Sequence, residues 1–348
     1  MKHFYSAALV AGMALLMAAG CGSGDKGGST SGDTATNSPM TPGTADAGGK
    51  KLTIAVIPKG STHDYWKALH AGANAAGKEL GVDIQFKGPL KEDDREDQIK
   101  TVEDFVNAKV DGIVLAPLDN QALVKPAEAA VMAGIPVVVI DSSLKSDKQS
   151  SYVATDNYKG GQMAGEAMVK LLNGKGNVIV LRYETGSAST MDREQGFLDV
   201  MAKNPGIKIL SSNQEGGATA DSAQQKAQGL LSGFKNADGT LQAQGIYCPN
   251  ESTTFGMLRV LEENKWAGKV KFVGFDSSPK LIDGMKAGEI DALVVQNPFK
   301  MGHDSVVQIV KVIKKQKFDA KEDTGATLVT KDNLNTPDIL KLVTPPQE

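Results

Sequence analysis

Cysteine is nearly missing from this chain of 348 residues, whose only two are Cys21 and Cys248. One thiol beyond the N-terminal region cannot form an intramolecular disulfide, and Cys-based metal centres are excluded with it. Histidine is as sparse: His3, His63, His70 and His303 show no metal-ligand spacing, so neither a metal nor another cofactor is expected. No sign of charge dominates, since 38 Lys and Arg stand against 41 Asp and Glu for a net charge of −3. Without a basic block, acidic tail or heptad pattern, nucleic acid is not an expected partner. Catalytic signatures are lacking too. There is no GxSxG elbow, no phosphate-cradling P-loop, no HExxH helix, and no paired-glycine dinucleotide turn after the first apolar run. The glycines at 160–161 open a helix but lack that spacing. The expectation is a binding protein, not an enzyme.

The chain has one long apolar run, AALVAGMALLMAAG at 7–20, preceded by Lys2 and too short to span a bilayer comfortably. It ends in Ala18-Ala19-Gly20-Cys21. Small residues before a Cys resemble the bacterial lipobox, although Ala18 stands where Leu is commonest. The resemblance implies a signal peptide over 1–20, lipidation of Cys21, and attachment to a bacterial membrane through that lipid alone. Residues 22–50 carry almost no large apolar side chain. They cannot bury enough surface to offset ordering entropy, so 21–50 read as a tether.

From residue 51, β-branched apolar runs alternate with helical periodicity. Strands are predicted at 52–57, 83–88, 112–117, 136–141, 152–156, 177–182, 207–212, 245–250, 271–276 and 291–296. Helices are predicted at 65–80, 93–108, 120–133, 159–173, 190–203, 219–234, 252–265, 278–287 and 299–315. Continuous apolar strands joined through helices imply parallel sheets covered on both faces. Ten strands exceed one such sheet, and the pattern restarts after the polar stretch LKSDKQSS. The fold class is therefore α/β, with two doubly wound parallel-sheet domains. Ligands of such sheets bind beyond the carboxyl ends of the strands.

Those ends are rich in polar and aromatic groups: His63, Tyr65 and Trp66 after the first strand, Asp141 and Ser142 after PVVVI, and Arg193 beyond NVIVLR. Asn250, Asp276 and Gln296 follow at later strand ends. Asp and Asn commonly cap helices, but capping explains neither Arg193 nor Gln296. Planar carboxylate, amide and guanidinium groups bind hydroxyls, often in bidentate fashion, while flat aromatics offer a face to an aliphatic ring. Together they suit a neutral, polyhydroxylated ligand.

In order along the chain, Tyr65-Trp66, GIVLAPLD, AGIPVVVID, YVATDNYKGGQMAGE, DREQGF, CPNE, VGFD and VVQNPFKMG resemble the ribose-binding-type periplasmic solute-binding proteins. The resemblance covers about 52–318. It implies the type I fold and a multi-crossing hinge near 155–156, 276–296 and 325–326. The implied domains are 51–155 with 297–325, and 156–296 with 326–348. The implied role is to deliver a monosaccharide or cyclitol to an ABC transporter permease, as a monomer outside the cytoplasm. Tyr65 and Trp66 would flank the sugar ring; Asp141, Arg193, Asn250, Asp276 and Gln296 would hold its hydroxyls. The ribose proteins carry Asn at the place of His63, Arg at Ser142, Asn at Ala116, and a Phe near 218–219. These departures imply a sugar other than ribose. IPK at 57–59, Asp141, Asp192 and Pro249 also resemble the autoinducer-2 receptors of the superfamily, leaving a signalling receptor as the alternative.

Overall fold

A computed structural model describes residues 51–346. Its strands form two six-stranded sheets. The first contains β1 (Thr53–Ile57), β2 (Asp83–Phe86), β3 (Gly112–Leu115), β4 (Val137–Ile140), β5 (Ser151–Ala154) and β11 (Lys321–Asp323) in the order β11-β5-β4-β3-β1-β2. The second contains β6 (Gly176–Arg182), β7 (Ile207–Glu215), β8 (Gly245–Tyr247), β9 (Lys271–Phe275), β10 (Ala292–Gln296) and β12 (Ala326–Thr330) in the order β12-β10-β9-β8-β6-β7. All pairings are parallel except β10 with β12, an antiparallel edge. Leaving out the edge strands β11 and β12, both sheets have the same doubly wound order, which reverses beside β1 in the first and beside β6 in the second.

Side-chain alternation gives each sheet two apolar faces. In the first, Ile54, Val56, Val114 and Val138 pack against α1 (Asp64–Leu80) and α9 (Pro298–Ile313). Ala55, Ile57, Ile113 and Val137 face α2 (Arg95–Asn107) and α3 (Val124–Met132). In the second, Val178, Val180, Val273 and Val294 meet α4 (Asn157–Leu171) and α5 (Ala188–Ala202). Ile179, Leu181, Phe272 and Leu293 meet α6 (Ala220–Ser232), α7 (Glu251–Glu263), α8 (Pro279–Ala287) and α10 (Pro337–Val343). Cys248 is buried on that last face.

The chain passes between the two lobes after β5, after β10 and after β11. The middle passage lies at Gln296–Pro298. Asp276 is not part of it, because β9, α8 and β10 all stay with the second sheet. Two close helix pairs fix the loops that follow the strands. A Cβ on Gly72 would lie 2.0 Å from the Phe299 carbonyl oxygen, and one on Gly302 would lie 2.1 Å from that of Leu69, so α1 meets α9 backbone to backbone. Gly161 against Arg193 O (2.0 Å) and Gly196 against Tyr158 O (2.1 Å) do the same for α4 and α5. The glycine pair at 160–161 therefore has a packing role. Among the described residues, no helix is long and apolar enough to cross a membrane.

Candidate functional site

The carboxyl ends of both sheets face one another. Two of them end in an aspartate with left-handed backbone: Asp141 (φ 60°) after β4 and Asp276 (φ 68°) after β9. Asp tolerates that region better than most residues, and the turn aims each carboxylate between the lobes. From the first lobe, the β1–α1 loop supplies Lys59 and His63, and the first turn of α1 supplies Tyr65 and Trp66. These rings meet edge to face at 4.8 Å, and both are buried.

Asp141 is the hub of this side. Tyr65 donates its hydroxyl to Asp141 Oδ1 at 3.0 Å, and Lys59 Nζ lies 2.6 Å from Oδ2. The same ammonium donates to Ser142 (2.7 Å) and, across the cleft, to Ser189 (3.0 Å) and Ser187 (3.3 Å). His63 Nδ1 lies 2.9 Å from Glu92, which also accepts from the Trp66 indole and, from the opposite lobe, the Tyr183 hydroxyl at 2.7 Å. Burial opposes charge on both partners. For His63 the Glu92 carboxylate outweighs it, holding the imidazole up at about 9. For Glu92 the His63 and Lys59 cations and the indole N–H outweigh it, holding the carboxyl down at about 2.

The second lobe is built around Arg193. Its Nε donates to Asn157 Oδ1 at 2.8 Å, Nη1 donates to the Pro249 carbonyl at 3.0 Å, and the guanidinium lies 3.9 Å from the Phe275 ring centroid. Nη1 also stands 3.9 Å from Asp276, whose carboxyl is raised by burial with Arg193 opposing. Gln296 donates to Asp276 Oδ1 at 2.7 Å. Asn250 caps α7, accepting from the Thr253 amide. Glu251 reaches back across the cleft to accept from the Tyr65 amide at 3.3 Å. Two buried polar atoms in this lining have no partner, the donor Arg193 Nη2 and the acceptor Gln296 Oε1.

Between the lobes these groups enclose a space of about 30 Å³, enough for a water or two. A chamber of about 330 Å³ adjoins it, sharing Tyr65, Asp276 and Gln296 as a wall. Filling the inner space with a sugar ring requires the lobes or side chains to part.

Residues 54–317 match the periplasmic binding protein domain. That span is most of the chain, and with the facing sheets it decides the family. The chain belongs to the periplasmic binding proteins. It is 28% identical over 290 residues to the ribose import binding protein of Escherichia coli K12, covering 81% of this chain and 91% of that one. Two solved structures superpose with a TM-score of 0.79. One is a carbohydrate transporter solute-binding protein of Agrobacterium radiobacter in complex with D-arabinose (34% identical, covering 84% of this chain and 99% of that one). The other is an ABC transporter solute-binding protein of Agrobacterium vitis with bound D-fucose (35% identical, 84% and 100%). The family consists of extracytoplasmic receptors that bind rather than catalyse, and the type I architecture inferred from sequence is the one observed.

Of the residues singled out in the sequence, His63, Tyr65, Trp66, Asp141, Arg193, Asn250, Asp276 and Gln296 line one space in this periplasmic binding protein. Ser142 stands just behind it, bonded to Lys59 and Ser189. Cys21 lies outside the described residues. Lys59, of the IPK stretch, and Glu251, of CPNE, line the same space, as do Glu92, Tyr183, Ser187, Ser189 and Thr190, which were not singled out. Glu251 stands at the strand end that Asn250 marks, and Tyr183 follows directly on β6, so the strand-end rule reaches both. Glu92 lies in the β2–α2 connection, at no strand end, and only the fold brings it in.

Proposed function

We propose that this cleft captures a monosaccharide or cyclitol other than ribose and presents it to an ABC transporter permease. One observation carries the reading. Carboxylate, amide and guanidinium groups from opposing strand ends converge on a buried space in which one donor (Arg193 Nη2) and one acceptor (Gln296 Oε1) are left over. Vicinal hydroxyls, each both donor and acceptor, complete such a set. The sugars named for the relatives, ribose, D-arabinose and D-fucose, support the class. In this reading Tyr65 and Trp66 abut the ring, and Asp141, Arg193, Asn250, Asp276 and Gln296 hold hydroxyls. His63 and Ser142, where ribose proteins have Asn and Arg, alter the choice of sugar. The moving bodies are 51–155 with 297–325 and 156–296 with 326–348, and one chain makes a complete site. A second reading, a receptor for a furanosyl autoinducer, is favoured by the 2.6 Å contact of Lys59 with Asp141, two residues that carry that resemblance.

A thermal-shift panel of pentoses, hexoses, inositols and autoinducer-2 tests both readings. A ligand at 100 times its dissociation constant stabilises by about 2.7 kcal/mol. A shift of that size with one sugar supports transport, and one with autoinducer-2 alone supports signalling. A panel without any shift contradicts both.

We infer further that residues 1–20 are a signal peptide and that Cys21 carries a lipid, so that the body is tethered to a membrane by 21–50. Mass spectrometry of the mature N-terminal peptide should show an acylated Cys21. An unmodified N-terminus at another residue contradicts this.

A further inference from the structure

Four carboxylates line the cleft (Glu92, Asp141, Glu251 and Asp276) against three cations (Lys59, His63 and Arg193). Each cation has its own acid: Lys59 stands 2.6 Å from Asp141, His63 2.9 Å from Glu92, and Arg193 3.9 Å from Asp276. Glu251 is the remainder. Its side chain has one hydrogen bond, from the Tyr65 amide at 3.3 Å. The charged groups facing it are His63 and Asp64 from the start of α1 and Asp276 from the end of β9, which accepts from Glu251's own amide at 3.2 Å. His63 is committed to Glu92, and Lys67, the next cation along α1, to Asp64 at 2.7 Å. Two helix N-termini account for its position, that of α7, which it opens, and that of α1, whose first-turn amide at Tyr65 it accepts from, but neither supplies a full positive charge.

A second observation points the same way. Gln296, 1% exposed and in the same lining, has a carbonyl oxygen that accepts from nothing. A buried acceptor without a donor is costly to keep out of water, and the half-buried Glu251 carboxylate, without a counter-charge of its own, stays open to a cation entering the cleft. A hydroxyl supplies a donor but no charge, whereas a protonated nitrogen supplies both.

We propose that the ligand of this cleft is a sugar carrying a basic nitrogen, an amino or imino sugar whose ammonium pairs with the Glu251 carboxylate. This rests on the reading of the cleft as a sugar site and narrows its substrate class. Burial raises the Glu251 carboxyl to about 7, with His63 opposing and Asp276 and Asp64 adding to the rise. Near neutrality the acid is therefore partly protonated, and pairing with an ammonium expels that proton to the buffer.

The test is calorimetry at about pH 6.5, below the ordinary range of an amino group. D-glucosamine and D-galactosamine are compared with the parent hexoses and with the N-acetyl derivatives, which keep the nitrogen and lose the charge. The amine should bind at least about tenfold more tightly than either, the scale of one charge-assisted contact. Its binding enthalpy should change with buffer ionisation enthalpy as a proton is released. Glu251→Gln should bring the ratio to within about twofold, while Glu251→Asp should keep a preference; a melting curve checks that each variant folds. Equal affinity for amine and parent, or a preference that survives Glu251→Gln, overturns the inference and leaves the sugar site standing. No binding by any member of the panel overturns the inference, and the sugar reading falls with it only if the pentoses and inositols of the thermal-shift panel also give no shift.

Discussion

Arg193 holds together more of the second lobe than a ligand clamp requires. It ties α5 to α4 through Asn157 and to the β8–α7 turn through the Pro249 carbonyl, and it covers Phe275. Truncating it strands a buried amide oxygen and a carbonyl, each costing about 1–3 kcal/mol when left unpaired. Arg193→Ala is therefore expected to lose stability and affinity together, and it cannot isolate a binding role. Gln296 can. It gives one bond to Asp276 and none through its carbonyl. Gln296→Ala should cost about 1 kcal/mol of apo stability, the value of one hydrogen bond, yet weaken the bound sugar about tenfold to a hundredfold. Calorimetry and denaturant melts on the same variant separate the two. Unchanged affinity would place the hydroxyl contacts elsewhere. Tyr65 and Trp66 show the same double duty, since both belong to the apolar cluster beneath α1 while bonding Asp141 and Glu92.

The helix pairs turn local sequence into site geometry. Gly161 lies where the α5 backbone passes, with no room for a methyl group beside the Arg193 carbonyl. Gly161→Ala must push α5 outward and carry the guanidinium with it. Overpacking of this kind costs about 1–3 kcal/mol, and denaturant melts should show that loss alongside weakened binding. Wild-type stability and affinity would mean that the α4–α5 contact does not set Arg193. The strand–helix alternation was legible because most of the ten strands are apolar and buried, the partly buried edge strands β2 and β7 stand in sequence between clear helices, and nine helices keep their period. Three elements escaped. KED (β11) is short and polar, ATLVT (β12) is an edge strand whose residues are mostly only partly buried, and α10 has seven residues. The site was legible wherever strand ends deliver the residue, as at Asp141, Asp276 and Gln296. It was illegible at Glu92, whose partners His63, Trp66 and Tyr183 come from two other loops and a helix and meet only through the tertiary fold.

At the scale of the molecule, the lobes are latched by polar contacts rather than by an apolar seam. Lys59 reaches Ser187 and Ser189, Tyr183 reaches Glu92, Arg95 donates to the Thr185 carbonyl at 3.1 Å, and the Asn120 amide donates to that of Gly186 at 3.0 Å. Water can replace every one of these bonds, so their net value is small, and three chain passages leave the lobes free to part about a hinge. Opening is what admits a sugar to a space of about 30 Å³. The central claim, capture by closure, is tested most directly by small-angle scattering with and without the sugar that gives the largest thermal shift. The account predicts a larger radius of gyration without sugar, falling at saturation to the value computed from the closed lobes. A radius that does not change when the sites are shown by calorimetry to be full would contradict it.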